Sequence, residues 1–574
     1  VVKLTTDKQK ATGSHYTPTG LATVLARRLL SEVKENDRAL NVLDPSCGDG
    51  ELLLAIAEES KDHKLNLIGV EENDDAIQDS MKRFTDTEIK EVTLIKNDYL
   101  EMVNLDNHVD LFNFNESESN DLVDIIIANP PYVRTQILGA EKAQMLSEKF
   151  NLSGRVDLYH AFLVAMTSQL PIGGLLGVIT SNRYLTTTGG TAIRQFLDEN
   201  YEIIEIMDLG DTKLFSAAVL PAIFIGRKKH KNDKTKNNDN AKFFRIYEAV
   251  EEARLDIETN TVNSIFEILE VKQSGIYEAE GKKYKVSLGE LDIPKSYKEP
   301  WVMASLDEQI WIDKIKQNSK YLIEDVAKVR VGIKTTADPV FIKNGWEDSS
   351  NEIQPEKELL RHLLSSDHAS KWRPIEKRPA LRVLYTHKVE NGRRTVIDFS
   401  QYPKALSYLE THRERLEGRK YVIKAKRKWF EIWVPHDPNS WGKLKVVFPD
   451  ISPEPKFFLD TEGCIVDGNS YWITLNEGFS EDILFLILAI SNTRLMTKYH
   501  DISFQNKLYS GRRRYLTQYV EKYPIPNPET EYAKKLVSLS KELVYKENNL
   551  EKVKEIENKI EYYSAKAFNV EVVE

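Results

Sequence analysis

Between residues 39 and 225, short apolar runs alternate with stretches of helical length, and few folds accommodate that order. Residues 39–45, 65–70, 92–96, 123–128, 174–180, 203–207 and 222–225 read as strands, being apolar and mostly rich in Val, Ile and Leu. Helical stretches such as 51–59 and 157–170 lie between the first five. Parallel strands need a long crossover, usually a helix. The alternation therefore predicts an α/β fold with a doubly wound, mostly parallel seven-stranded sheet. The last two runs are close enough to add an antiparallel edge.

The fourth run ends in Asn129-Pro130-Pro131-Tyr132. Two prolines stop a strand abruptly, because neither donates a ladder hydrogen bond and each fixes φ near about −65°. The result is a rigid turn at the carboxyl end of a strand, where open α/β sheets place their ligands. An amide oxygen beside prolyl carbonyls can accept hydrogen bonds from an amino group, and the tyrosine ring can stack on a planar one. The plainer reading is a strand-ending turn with a packed tyrosine, so the other strand ends must decide.

Asp44-Pro45-Ser46-Cys47-Gly48-Asp49-Gly50 follows the first strand and opens a helix. Its small residues let a ligand approach the backbone. The spacing is neither that of a dinucleotide fingerprint nor that of a P-loop. An aspartate at the strand end disfavours phosphate and suits a cationic or amino-bearing ligand. Glu71 ends the second strand, about twenty residues past the glycines, where an acidic side chain binds ribose hydroxyls. After the third strand come Asp98 and Tyr99, a carboxylate and a ring able to hold an adenine edge and face.

Taken in order, Asp44–Gly50, Glu71, Asp98 and Asn129–Tyr132 resemble the motifs of S-adenosylmethionine-dependent amino DNA methyltransferases. Gly13-Ser14-His15-Tyr16-Thr17-Pro18 is similar to the motif that caps the methionine end of the cofactor. Residues 158–162 and 171–174 resemble the later helix and turn, in which Phe162 would pack on the cofactor adenine. Leu214-Phe215-Ser216 resembles the motif whose aromatic faces the target base. Cofactor motifs first and recognition region last is the order of the gamma class, which includes the TaqI-type adenine enzymes.

The resemblance implies a class I, Rossmann-like methyltransferase acting on adenine N6 in a restriction-modification system, with the base flipped out of duplex DNA. It implies a catalytic set of Asn129, Pro130, Pro131, Tyr132 and Phe215. The implied S-adenosylmethionine set is Tyr16, Thr17, Asp44, Pro45, Cys47, Gly48, Gly50, Glu71, Asp98, Tyr99, Asn129 and Phe162. The alternatives are transfer to a protein glutamine amide, to guanine N2 of RNA, or to cytosine N4 of DNA.

The net charge of −10 conceals an asymmetry. Residues 1–230 hold 23 Lys and Arg against 35 Asp and Glu, a net of −12, which leaves +2 for the rest. An acidic first part and a more basic second part suit a small-molecule domain joined to one that faces an anion. The polar stretch 227–241 reads as a linker. The expected divisions are therefore a catalytic domain over 1–240, a mixed α/β DNA-recognition domain over 241–528, and a C-terminal amphipathic helix or helical hairpin over 529–574. In the second part the basic clusters give Arg419, Lys424, Lys426, Arg427, Lys428, Arg512, Arg513 and Arg514 as candidate DNA contacts. Pro449-Asp450 and Glu454-Pro455-Lys456 mimic a nuclease pattern, but the gap is too short for its usual hairpin.

Two distant cysteines, Cys47 and Cys464, suit a reducing cytoplasm with neither a disulfide nor a metal framework. No apolar run approaches the roughly 20 residues of a membrane span, and the first residues show no signal-peptide core. The expected setting is a bacterial or archaeal cytoplasm. The expected partners are double-stranded DNA and a cognate restriction endonuclease, with the enzyme either a monomer or a homodimer.

Overall fold

The computed structural model describes residues 16–34, 38–60, 63–87, 89, 91–103, 123–132, 140–152, 158–215, 220–231, 241–249, 258–294, 296–346, 353–505, 508, 511–546 and 549–573. Two compact units emerge: residues 1–307 with 507–511, and residues 308–506 with 512–574.

The first unit is built on one eleven-stranded sheet. Its strands are β1 (Leu40–Asp44), β2 (Leu65–Glu71), β3 (Val92–Lys96), β4 (Ile125–Ala128), β5 (Leu175–Ser181), β6 (Tyr201–Asp208), β7 (Pro221–Lys228), β8 (Lys242–Glu248), β9 (Thr259–Thr261), β10 (Gly275–Ala279) and β11 (Lys282–Glu290). Their order is β3-β2-β1-β4-β5-β7-β6-β8-β11-β10-β9. The first five are parallel, β7 is antiparallel to both β5 and β6, and β8 runs parallel to β6.

All seven expected strands are present. Two features of the expectation change. β7 is not an edge strand but sits between β5 and β6. The sheet also continues past residue 240, because β8 buries Phe243, Phe244, Ile246 and Tyr247 against it. The compact unit accordingly runs to Asp307, later than the division expected at 240.

Alternation along the strands supplies two cores, one per face. Leu43, Ile126, Ala128, Leu176 and Val178 pack with the helix Leu158–Gln169 on one side. Leu40, Val42, Ile125, Ile127 and Leu175 pack on the other with α1 (Thr19–Leu30) and α2 (Glu51–Glu59). Each fully buried Leu or Ile contributes roughly 1.5–3 kcal/mol. The central strands are thereby held rigid, with their carboxyl ends forming one rim.

The second unit contains a four-stranded antiparallel sheet ordered 327–331, 470–475, 445–449, 458–460. A second four-stranded sheet and a two-stranded hairpin accompany it. The expected C-terminal element is a helical hairpin, Glu531–Tyr545 followed by Leu550–Ala567. Asn549 caps the second helix by accepting from the amides of Glu551 and Lys552. Among the described residues no helix is long and apolar enough to cross a membrane.

Candidate active site

The β1–α2 turn is shaped by glycine. Gly48 and Gly50 have φ of 54° and 82°, a region costly for other residues. A Cβ on Gly50 would also stand 2.6 Å from Ser80 Oγ and 2.9 Å from the Phe84 ring. Glu71, at the end of β2, braces the turn. Its carboxylate accepts from the Gly48 amide (3.0 Å) and from the Asn73 amide (2.8 Å). Asp98 accepts from the Leu100 amide at 2.9 Å, and Lys142 approaches its other oxygen at 3.4 Å.

These strand ends border a cavity of about 730 Å³, measured with its open mouth. Tyr16, Pro45, Gly48, Glu71, Asp98, Tyr99, Asn129 and Phe162 line it, eight of the twelve residues expected to hold the cofactor. Tyr99 and Phe162 stack with ring centroids 5.8 Å apart and planes inclined by 21°. The other four stand behind this lining. Asp44 is buried beneath the turn, where its carboxylate accepts from the Ser46 amide at 3.1 Å. Cys47 is buried, Gly50 caps α2, and Thr17 hydrogen-bonds Asn129. Lys142 and Ser46 also line the cavity and were not among the twelve: Lys142 stands outside every strand-end motif, while Ser46 lies within the Asp44–Gly50 turn. Of the motif at 13–18, residues 13–15 lie outside the described residues.

The electrostatics favour a cation. Burial pushes the Asp44 carboxyl up to about 8, helped by the charges of Glu71 and Asp49. Burial also raises Glu71 and Asp49. A positive ligand offsets the two neighbouring charges that raise Asp44. No cluster suited to a metal ion occurs among the described residues.

At the end of β4, Asn129 is gripped from two sides. Its Nδ2 donates to Thr17 Oγ1 at 3.0 Å, and its Oδ1 accepts from the Tyr132 hydroxyl at 2.8 Å. Pro131 lines the cavity beside it, and Pro130 is buried. Burial raises the Tyr132 phenol, which is therefore a neutral donor at ordinary pH. Phe215 is only 7 % exposed, is packed in the apolar cluster on the α1–α2 face, and does not line the cavity.

The candidate DNA contacts divide sharply. Arg419 is 5 % exposed, donates to the carbonyls of Leu416, Thr335 and Trp429, and lies over the Phe341 ring. Arg513 is 2 % exposed and forms a fork with Asp501 at 2.7 and 2.8 Å. Both stabilise the interior and are not presented to an external polyanion. Arg514 pairs with Asp450 (2.7 Å), and Arg427 rests on the Trp433 ring. Lys424, Lys426, Lys428 and Arg512 are exposed.

A doubly wound sheet bearing a glycine turn, two acidic strand ends and an Asn-Pro-Pro-Tyr turn on one rim defines a class I methyltransferase. Residues 27–215 match the family described as Eco57I restriction-modification methylase. The chain belongs to the Type II methyltransferases, the DNA-modifying enzymes of restriction-modification systems. It is 53% identical over 571 residues to the Type II methyltransferase M.BanIII of Aneurinibacillus aneurinilyticus, covering 98% of each chain. It is 25% identical to M.BstVI of Geobacillus stearothermophilus, over 71% of this chain and 68% of that one. Among solved structures it is similar to a type I restriction-modification methyltransferase subunit from Streptococcus thermophilus. That likeness has a TM-score of 0.31 at 19% identity, over 40% of this chain and 47% of the other.

Proposed function

We propose that this rim transfers the methyl group of S-adenosylmethionine to N6 of an adenine flipped out of duplex DNA. The observation that carries the reading is the fixed Asn129 carboxamide at the edge of the cavity, with its oxygen aimed at Tyr132.

The cavity fits the cofactor. The carboxylates of Asp44, Asp49 and Glu71 favour its positive charges, and the Tyr99–Phe162 pair suits its adenine. Ser46 Oγ, buried without a hydrogen-bond partner among the described residues, adds an unsatisfied polar atom on the lining. When bound, S-adenosylmethionine supplies an electrophilic methyl on a sulfonium. Glu71 would hold the ribose hydroxyls and Asp98 the adenine edge.

The chain itself must make a poor nucleophile competent. The lone pair of an exocyclic amine is delocalised into its ring. Asn129 Oδ1 and the Pro130 carbonyl would each accept one N–H, which turns the lone pair toward the methyl and stabilises the charge growing on nitrogen. A carboxamide oxygen accepts two hydrogen bonds, so the amine is received beside the Tyr132 phenol or in exchange for it. Holding amine and methyl in line supplies much of the remaining acceleration. No strong base is required, because the methylated ammonium is acidic enough to lose its proton to water. Flipping the base costs a few kcal/mol, and stacking on Tyr132 returns roughly 1–3 kcal/mol.

Tritiated S-adenosylmethionine offered with duplex DNA, RNA and protein, followed by nucleoside analysis, tests the reading. Label in N6-methyladenine of DNA is expected, and Asn129→Ala should lower it by about 10²–10³-fold. Label in N4-methylcytosine, in RNA or in protein alone would overturn it.

A further inference from the structure

The strands His387–Glu390 and Arg393–Val396 form a ribbon that pairs only with itself among the described residues. Two-stranded ribbons are marginal in isolation, and this one is moored at its base to residues 430–436. The Tyr385 hydroxyl donates to the Pro435 carbonyl at 2.6 Å, and Arg394 Nη1 donates to the His436 carbonyl at 3.3 Å. His387 Nε2 lies 3.7 Å from the Glu431 carboxylate. The tip is uncovered: residues 390–394 are all exposed. Asn391 and Gly392 have φ of 52° and 72°, as a tight two-residue hairpin turn requires.

The mooring segment follows directly on the most basic stretch of the chain. Residues 420–428 carry five Lys and Arg and no acidic residue, in a protein whose net charge is −10. Lys424, Lys426 and Lys428 are exposed there. The neighbouring carboxylates are already engaged. Glu390 pairs with Lys388 at 3.2 Å, Glu431 faces His387, and Asp398 accepts from the Ser400 amide at 3.0 Å. The Lys428 amide donates to Glu431 at 2.9 Å, the same carboxylate that faces His387, which joins the basic stretch to the ribbon.

We propose that this ribbon and the adjoining lysines are the duplex-facing surface of the second unit. Lys424, Lys426 and Lys428 hold phosphates, and the ribbon tip enters the major groove, where Asn391 and Arg393 read base edges. The proposal rests on the DNA-methylating reading above. A major groove admits a two-stranded ribbon, and Arg and Asn are the side chains whose forks match guanine and adenine there. Successive strand residues point to opposite faces. Arg394 is moored toward His436, so Arg393 is the one directed away from the mooring. Phosphate contacts position and base contacts specify, which assigns the two halves of the surface separable roles.

The full-length protein, expressed in cells without other DNA methylation, is assayed by genome-wide sequencing of modified bases. Binding to a duplex of the revealed site is then measured across salt concentrations. Arg393→Ala should relax one position of the motif, with discrimination there falling about tenfold or more. Arg393→Lys should relax the same position while leaving the salt dependence unchanged, because it keeps the charge and loses the fork. The triple variant K424A/K426A/K428A should keep the motif and lower the slope of log affinity against log salt by about 2–3. An unchanged motif in both Arg393 variants, or an unchanged slope in the triple variant, overturns the proposal. S-adenosylmethionine affinity at the wild-type level shows that each variant has folded. A wild-type protein that modifies no DNA would overturn the parent reading as well, a result distinct from a wild-type motif retained in the variants.

Discussion

The Tyr132 hydroxyl donates to Asn129 Oδ1 across 2.8 Å, within a single proline-stiffened turn. With Thr17 Oγ1 accepting from Nδ2 at 3.0 Å, the carboxamide is oriented from both ends. Both partners are hydroxyls, so together they fix the plane in which the carboxamide lies.

Thr17→Val keeps the shape of the side chain but removes the acceptor. The partly buried Nδ2 then loses its bond to Oγ1, at a cost of about 0.5–1.5 kcal/mol. The expected outcome is a fall in kcat of about tenfold with little change in S-adenosylmethionine affinity, and recovery in Thr17→Ser. Equal losses of kcat and cofactor affinity in Thr17→Val would show that Thr17 serves the cofactor directly.

Tyr132 has two separable contributions, its hydroxyl and its ring. A net hydrogen bond is worth about 0.5–1.5 kcal/mol, so Tyr132→Phe should stay within about tenfold of wild type in kcat/KM. Tyr132→Ala also loses the stacking platform, worth roughly 1–3 kcal/mol, and should be worse by a further tenfold or so. A fluorescent base analogue at the target position reports flipping directly. Equal damage in both variants would locate the whole effect in the hydroxyl.

Asp44 makes the site sensitive to pH. Its carboxyl titrates at about 8 in the folded chain against an ordinary value of 3.8. The folded state therefore binds a proton that the unfolded state releases. That contribution to stability is full below about pH 3.8 and is lost as pH rises through about 8. Thermal unfolding of wild type should fall relative to Asp44→Asn between pH 5 and 8. A cationic ligand favours the carboxylate, so S-adenosylmethionine should bind more tightly as pH rises over the same window, and the trend should flatten in Asp44→Asn. Parallel pH profiles in the two proteins would contradict this.

In the second unit, Lys445 and Asp460 are 0 % and 3 % exposed, with Nζ 2.5 Å from the carboxylate. Breaking a buried pair from one side strands the other charge, at a cost of about 3–5 kcal/mol. Lys445→Met should lower the unfolding free energy read from urea titration by that amount, and Lys445→Met with Asp460→Asn should recover part of it. Trp441 and Trp472, with ring centroids 4.8 Å apart in the same core, supply the fluorescence signal.

The sheet from β1 to β7 was legible because each strand is a compact apolar run closed by turn residues. Asn129, Glu71 and Asp98 were legible because a parallel sheet sends successive strand ends to one rim. β8 was hidden by the polar stretch before it, although Phe243, Phe244 and Ile246 carry an apolar signal. The Thr17–Asn129 bond spans 112 positions, and no local pattern encodes it. Arg419 and Arg513 misled for a general reason. A count of charges does not distinguish a guanidinium in solvent from one whose donors are taken up by buried carbonyls or a carboxylate. The burial of Phe215 was not legible either, since its motif does not specify which way the ring turns.

β7 runs against its neighbours, so Asp208 at the end of β6 pairs with Ala222 near the start of β7, and Ser181 at the end of β5 pairs with Pro221. The chain leaves the rim at 208 and re-enters the sheet at the same rim thirteen residues later. Leu209, Asp211, Thr212 and Phe215 on that return are buried, so it is anchored to the sheet and is not a free loop. One inverted strand thus turns a crossing of the sheet into a short, anchored return at a single rim.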